Sequence, residues 1–278
     1  MRGCLPWLRP DPGLKGGGFM NKKELLIIIP AYNEGNNIQR VLRELEQQGS
    51  CSIADILVIN DASTDSTNWI VKEMGYPMIS QLFNMGYGCA LQTGYKYAVR
   101  RGYQYVIQMD GDGQHDVCNI PVIYNKLKEA DENGRYPDIV LGARFRADSA
   151  DFPVSWPKKV VYALFRAIIR CLTGEKIADP TTGLQGLSRK AFLYYSKYNH
   201  FDDKYPDANM LILMLLAKFK VVEIPAVMHS RTEGKSMHSG LKPFWYMLRV
   251  LYSTVVILFQ VKMLKMDVEV GLKSADRI

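Results

Sequence analysis

The sequence predicts an α/β fold, a doubly wound and mostly parallel sheet with helices on both faces. Three observations carry that expectation. Apolar runs of strand length alternate with helix-length amphipathic segments up to about residue 145, as parallel βαβ units require. The first run, "ELLIIIP", is apolar without alternation, which suits a strand covered on both faces. Polar residues, among them Asn33, Glu34, Asp61, Asp110, Asp112 and Arg144, collect where these runs end. In such sheets ligands gather at the carboxyl ends of strands.

Taken in order, Pro30 ends the first strand, and a helix follows with Ile38, Val41, Leu42 and Leu45 on one face. "ADILVIND" is the second strand, and "STDSTNWIVKEM" opens with the hydroxyl and acid residues that cap helices. "YPMIS" is a short third strand, and "GYGCALQTGYKYAVRRG" is a helix closed by Gly102. "YQYVIQMD", "NIPVIYNKLKEADENG" and "PDIVLGAR" read as strand, helix and fifth strand. Next comes a helix, "SWPKKVVYALFRAIIRCLTG", with Lys159, Tyr162, Arg166 and Arg170 expected on one face and apolar residues on the rest. "DPTTGLQGLSRKAF" is turn-rich around a short strand, "YPDANMLILMLLAKF" is a very apolar helix, and "KVVEIPAVM" is a strand. A polar loop, "HSRTEGKSMHSG", leads into "LKPFWYMLRVLYSTVVILFQVKMLK".

That last segment is too interrupted by Arg249 and Gln260 to span a bilayer, which takes ~20 apolar residues. Lys242, Arg249, Ser253 and Gln260 recur on one side, opposite Phe244, Leu248, Leu251, Val255 and Leu258. The pattern describes an amphipathic helix lying in a membrane interface, or else a core helix closing the domain. The second basic and apolar helix, at 158–172, favours the membrane. Three regions follow: a leader at 1–19, an α/β domain at 20–240, and the interfacial helix and tail at 241–278. The leader lacks an apolar signal core, and "KGGGF" before Met20 resembles a translated ribosome-binding site, so Met20 is read as the natural start.

Composition excludes several classes. With 47% hydrophobic and 23% charged residues the chain is not disordered. Its net charge of +7 is partly local, in Arg144, Arg146, Lys158, Lys159, Arg166 and Arg170. Such a cluster suits a phosphorylated substrate or an anionic membrane; no nucleic-acid-binding motif accompanies it. Five scattered cysteines without ligand spacing point to a reducing compartment.

The chemistry concentrates in "QMDGDGQHD". Asp110 and Asp112, at alternate positions, can both reach one hard divalent cation, and Gln114 adds a carbonyl oxygen. Mg²⁺ takes a few protein oxygens and leaves other positions for phosphates and water. An isolated D-x-D is usually a solvated loop. Here the buried strand before it and the other strand-end acids point to a metal with a diphosphate. His229 precedes the polar loop and is read as structural.

Seven motifs in order, "PAYNEGNNI", "NDASTDST", "NMGYGCALQTGYKYA", "MDGDGQHD", "LGARF", "DPTTGLQGLSRKAF" and "RTEGKS", resemble the family 2 glycosyltransferases of GT-A fold. Within them the chain is similar to the polyprenyl-phosphate glycosyltransferases, the group of dolichol-phosphate mannose synthase. The resemblance implies a nucleotide-sugar donor site formed by Pro30, Ala31, Tyr32, Glu34, Asp61, Asp110, Gly111, Asp112 and Arg231. In it Tyr32 would lie against the base, Glu34 on a ribose hydroxyl and Asp61 on the base edge. Asn84, Gly86 and Gly88 would let a ligand approach the helix they open. Asp110, Asp112 and Gln114 would hold Mg²⁺ or Mn²⁺, and Arg231 and Lys235 would close over the leaving diphosphate.

The implied acceptor is a polyprenyl phosphate cradled by Arg144, Lys158 and Lys159, reached from the cytoplasmic face of a membrane. A membrane-protein partner at the C-terminal helix is compatible with this; nucleic acid is not implied. Tyr162 and Arg166 depart from the family pattern, in which a small hydroxyl residue and a polar residue stand on this helix. Asp207 occupies the position of a general base in relatives that glycosylate a hydroxyl, so a hydroxyl acceptor is one alternative. A sugar nucleotidyltransferase is another, although it should carry a glycine-rich basic loop where this chain has "PAYNEGNN". A third is a catalytically inactive nucleotide-binding scaffold.

Overall fold

The computed structural model describes residues 23–146, 148–149, 156–198, 200–204 and 206–229, with isolated positions 252, 256 and 259. The expectations for the leader at 1–19, for Arg231 and Lys235, and for most of the helix at 242–262 lie outside the described residues, as does the Lys158 side chain.

Among the described residues, seven strands form one sheet in the order β3-β2-β1-β4-β6-β5-β7. They are β1 (Leu25–Ala31), β2 (Ala54–Asn60), β3 (Met78–Ser80), β4 (Tyr105–Gln108), β5 (Ile139–Ala143), β6 (Gln185–Ser188) and β7 (Val221–Pro225). β1 is buried along its whole length, which its unbroken apolar run required. It pairs in parallel with β2 (Ile29 opposite Val58) and with β4 (Ile28 opposite Gln108).

β6 is the exception to the parallel pattern. It runs antiparallel to both β4 and β5, with Gln108 opposite Gln185 and Leu141 also opposite Gln185. This reversal joins a parallel β3-β2-β1-β4 half to the parallel β5-β7 pair. It also brings the loop before β6, containing Asp179 and Gly183, to the ends of β4 and β5.

Helices α1 (Ile38–Gln47), α2 (Ser50–Ile53), α3 (Thr67–Glu73), α4 (Tyr87–Arg101) and α5 (Asn119–Leu127) fill the crossovers. Beyond β5 lie α6 (Trp156–Thr173), α7 (Arg189–Tyr195) and α8 (Ala208–Leu216). One core packs α4, α7 and α8 on one face through Tyr95, Phe192, Tyr195 and Met214. The other packs α1, α3 and α5 through Leu42, Val71 and Ile123. Burying each such side chain contributes about 1.5–3 kcal/mol.

α6 corrects the expected facing. Tyr162 and Arg166 turn inward and are half-buried, whereas Lys159 and Arg170 stay exposed. The exposed face carries Trp156, Val160, Ala163, Leu164 and Ala167, at 3–4 residue spacing. Trp156 is 76% exposed and Val160 50%. Apolar residues thus face outward because the polar Tyr162 and Arg166 have partners within the domain. No helix among the described residues is long and apolar enough to cross a membrane.

Candidate active site

The loops after β1 and β2 are sewn together before any ligand is considered. Asn33 accepts the Thr64 amide at 2.8 Å and gives its own amide to Ser63 Oγ at 3.0 Å. Glu34 N donates to Thr67 Oγ1 at 2.9 Å, and Gly35 N donates to Asp65 Oδ2 at 2.9 Å. Tyr32 stands exposed at this rim, while Pro30 and Ala31 are buried in β1. Glu34 is half-buried, and its Oε2 accepts from Asn37 Nδ2 at 2.8 Å.

Asp61 is buried, and both its oxygens accept main-chain amides: Met85 N at 2.8 Å and Gly86 N at 2.9 Å. Those bonds hold the turn into α4. The glycines of that turn serve packing within the chain. A Cβ on Gly88 would lie 1.9 Å from the Asp202 carbonyl oxygen, and Gly86, at φ +98°, faces Asp203 O. Cys89 N also donates to Asp203 O at 2.9 Å. The close approach expected of a ligand at Gly88 is made by the 202–203 backbone.

The acidic strand end is ordered by its neighbours. Asp110 accepts the Tyr87 hydroxyl on Oδ1 at 2.8 Å and meets His115 Nε2 through Oδ2 at 3.1 Å. A Cβ on Gly183 would come within 2.5 Å of Asp110 Oδ2. Gly111 is buried, with Pro30 O 3.3 Å from where its Cβ would be. Asp112 is buried and accepts the Gln114 amide at 3.0 Å. Burial, then the Asp110 carboxylate, push the Tyr87 phenol well above its ordinary pKa, and Asp207 adds to the shift. Asp207 stands at the N-cap of α8.

The donor set suits a hard cation, since two carboxylates and one amide oxygen are what Mg²⁺ or Mn²⁺ accepts. Among the described residues no group of three or more His, Cys, Asp or Glu could hold a metal alone. A cation here would draw the rest of its shell from a diphosphate and water.

The segment leading to the polar loop is tied to the same strand end. His115 bridges Met228, and His229 N donates to Gln114 O at 2.8 Å. His229 Nε2 meets Asp116 Oδ2 at 2.7 Å, which gives this histidine a carboxylate partner outside the D-x-D pair.

Arg144 is held more tightly than its sequence context suggests. It forms a two-pronged pair with Asp179, Nε to Oδ2 at 2.7 Å and Nη2 to Oδ1 at 2.8 Å. Nη2 also donates to Thr181 Oγ1 at 3.0 Å. Burial would lower its pKa, but Asp179 outweighs that and raises it. The guanidinium lies over the Phe145 and Tyr162 rings, and Arg166 caps Phe145 while donating Nε to Ala178 O at 2.7 Å. Tyr162 and Arg166 thus dock α6 on the end of β5.

A separate cavity of ≈ 490 Å³ opens near the amino-terminal ends of β1 and β2, lined by Lys23, Asp55, Tyr76 and Tyr103 among others. Its polar groups satisfy one another (Tyr103 Oη to Asp55 at 2.8 Å), at the end of the sheet opposite the acids.

Sequence reasoning missed Tyr87 and His115. Tyr87 was indistinguishable from the core tyrosines of α4, because its partner lies 23 residues away. His115 carried one signal, its place inside the acidic run.

A mostly parallel sheet with acids at its carboxyl edge defines the class, and comparison with known proteins fixes the family. The chain belongs to glycosyl transferase family 2, whose model matches residues 26–195, and it is a glycosyltransferase of GT-A fold. It is 27% identical over 246 residues to a dolichyl-phosphate beta-glucosyltransferase of Trichomonas vaginalis, covering 84% of this chain and 74% of that protein. A polyprenol monophosphomannose synthase of Mycolicibacterium smegmatis is 27% identical over 223 residues, covering 77% of this chain and 81% of its own. Among solved structures, glucosyl-3-phosphoglycerate synthase from Mycobacterium tuberculosis, crystallised with Mn²⁺, UDP-glucose and phosphoglyceric acid, superposes with a TM-score of 0.62. That match has 18% identity and covers 84% of this chain and 79% of that one; it supports the fold.

Proposed function

We propose that the protein transfers one sugar from a nucleoside diphosphate sugar, GDP- or UDP-linked, to a polyprenyl phosphate at a membrane surface, inverting the anomeric centre, in cell-envelope glycan synthesis. The observation that carries this reading is the ordered acidic strand end, Asp110 and Asp112, at the same edge of the parallel sheet as the joined β1 and β2 loops. The names of the dolichyl- and polyprenyl-phosphate relatives support the acceptor.

Tyr32 and Glu34, on the β1 loop, would hold the nucleoside. Asp61 would contribute by fixing the turn into α4, because its two oxygens already serve that turn. Asp110, Asp112 and Gln114 would hold Mg²⁺ or Mn²⁺, which when bound neutralises charge on the departing diphosphate. Arg231, two residues beyond the anchored His229, and Lys235 would add positive charge to the same leaving group.

A phosphate monoester acceptor is ionised at pH 7, so its attack requires orientation by cations and no general base. Lys158 and Lys159 on α6 would face it, with Arg144 shaping the pocket wall through Asp179. Asp207 would orient the sugar. The outward apolar face of α6 and the segment at 242–262 would rest on the lipid, with residues 20–240 as the catalytic domain. Tyr252 and Phe259, both helical and exposed, fit that placement.

The reading is tested by incubating the protein with labelled sugar nucleotides, Mn²⁺ or Mg²⁺, and undecaprenyl phosphate, then extracting lipid. Label in the organic phase from one donor is the expected result. Release of free pyrophosphate without lipid labelling would replace it with nucleotidyl transfer.

A further inference from the structure

Asp110, the first carboxylate of the D-x-D pair, has a side-chain donor on each oxygen. Tyr87 Oη approaches Oδ1 at 2.8 Å and His115 Nε2 approaches Oδ2 at 3.1 Å. The two donors come from different elements, the first residue of α4 and the turn after β4, and His115 is 2% exposed. Gly183 closes the third side, leaving no room for a Cβ.

We infer that Tyr87 and His115 are positioning residues that clamp the Asp110 carboxylate in the one rotation from which it can serve a metal–diphosphate complex. The inference rests on the metal-assisted transfer proposed above and deepens it.

Two details support a clamp over mere packing. His115 Nδ1 is buried and has no hydrogen-bond partner among the described residues, so the ring's polar contact is spent on Asp110 alone. That leaves Nε2 as the protonated nitrogen, donating to the carboxylate. The Tyr87 hydroxyl, an ordinary phenol O–H, is a donor throughout the neutral range. A carboxylate with donors on both oxygens cannot swing freely, and one donor per oxygen does not use up the roughly four lone-pair positions a carboxylate offers. Hydrogen-bond partners of metal-binding side chains typically alter metal affinity by about 10–100-fold when removed.

The idle Nδ1 makes a specific prediction about rescue. Glutamine can place its amide nitrogen close to where Nε2 lies, so His115→Gln should keep the contact that His115→Ala loses. The experiment titrates Mn²⁺ by electron paramagnetic resonance, with UDP and with GDP, against wild type, Tyr87→Phe, His115→Ala, His115→Gln and Asp112→Asn. Thermal melting of each variant checks folding.

Tyr87→Phe and His115→Ala should each weaken nucleotide-dependent Mn²⁺ binding about 10–100-fold, and His115→Gln should restore most of the loss. Folded Tyr87→Phe with wild-type Mn²⁺ affinity would overturn the clamp while leaving the metal site intact. Folded His115→Gln as weak as His115→Ala would also overturn it. Wild type that binds no Mn²⁺ with either nucleotide would overturn the metal-assisted reading itself, and the clamp with it.

Discussion

Arg144 and Asp179 form a buried two-pronged ion pair, at 2.7 and 2.8 Å, between the end of β5 and the loop before β6. Asp179 has no exposed side-chain surface, and its own amide is held by Glu223, together with that of Ala178, at 2.8–3.0 Å. The arginine expected to meet the acceptor is therefore also what neutralises the loop beneath it. Removing one partner of a buried pair typically costs about 3–5 kcal/mol, because the other charge is left uncompensated. Arg144→Gln should lower stability by that order in urea unfolding, in the absence of any substrate. An unchanged midpoint would mean that the pair is not structural.

α4 is held by backbone contact at its first turn. With the Asp202 carbonyl 1.9 Å from a Cβ on Gly88, Gly88→Ala must displace the 202–203 segment. Overpacking of this kind costs about 1–3 kcal/mol, and the loss should appear in thermal unfolding without nucleotide. A variant of wild-type stability with weakened nucleotide binding would return Gly88 to the ligand.

Acid should loosen the joined loops. Burial raises the pKa of Asp65, but hydrogen bonds from Thr67 and the Gly35 amide outweigh it and hold the carboxyl below its ordinary value. A depressed carboxylate adds stability that is fully present above its unfolded pKa of about 3.9 and is lost as pH falls through the folded value. Asp65→Asn should therefore be less stable than wild type at pH 7, with the gap narrowing below about pH 4. Urea midpoints between pH 7 and pH 3 measure it; a constant gap would contradict the assignment.

The outward face of α6 makes a prediction about lipid. Val160 and Leu164 are exposed and the helix docks through Phe165 and Ile169, so Val160→Asp with Leu164→Asp should leave the melting temperature nearly unchanged. Sedimentation with anionic vesicles should fall sharply. Lys159→Ala and Arg170→Ala should each remove about 1 kcal/mol of the salt-sensitive part. Truncation at Leu241 should release most of the protein, and full binding by that form would place the anchor elsewhere.

The parallel half of the sheet was legible because buried parallel strands have a distinctive composition; "LLIIIPA" could hardly be anything else. The direction of β6 was not, since "QGLS" is short and strand polarity leaves no trace in an alternation pattern. Asp110 and Asp112 could be picked out as a site from their place at a strand end. Their supports could not, because Tyr87 lies on α4 and Gly183 beyond β5. α6 was misjudged for a related reason. Sequence spacing groups Lys159 with Tyr162 and Arg166, but the aromatic Phe145 and the Ala178 carbonyl draw the latter two inward.

The central claim is that the nucleophile is an ionised phosphate on a lipid. One competition assay tests it directly: labelled donor and Mn²⁺ with equimolar undecaprenyl phosphate in vesicles and phosphoglycerate in solution, using wild type and Asp207→Asn. The account predicts label in the lipid fraction only, with Asp207→Asn losing far less than the ~10²–10⁴-fold that removal of a general base costs. Label in the water-soluble acceptor, abolished by Asp207→Asn, would contradict it and establish a hydroxyl acceptor with Asp207 as its base.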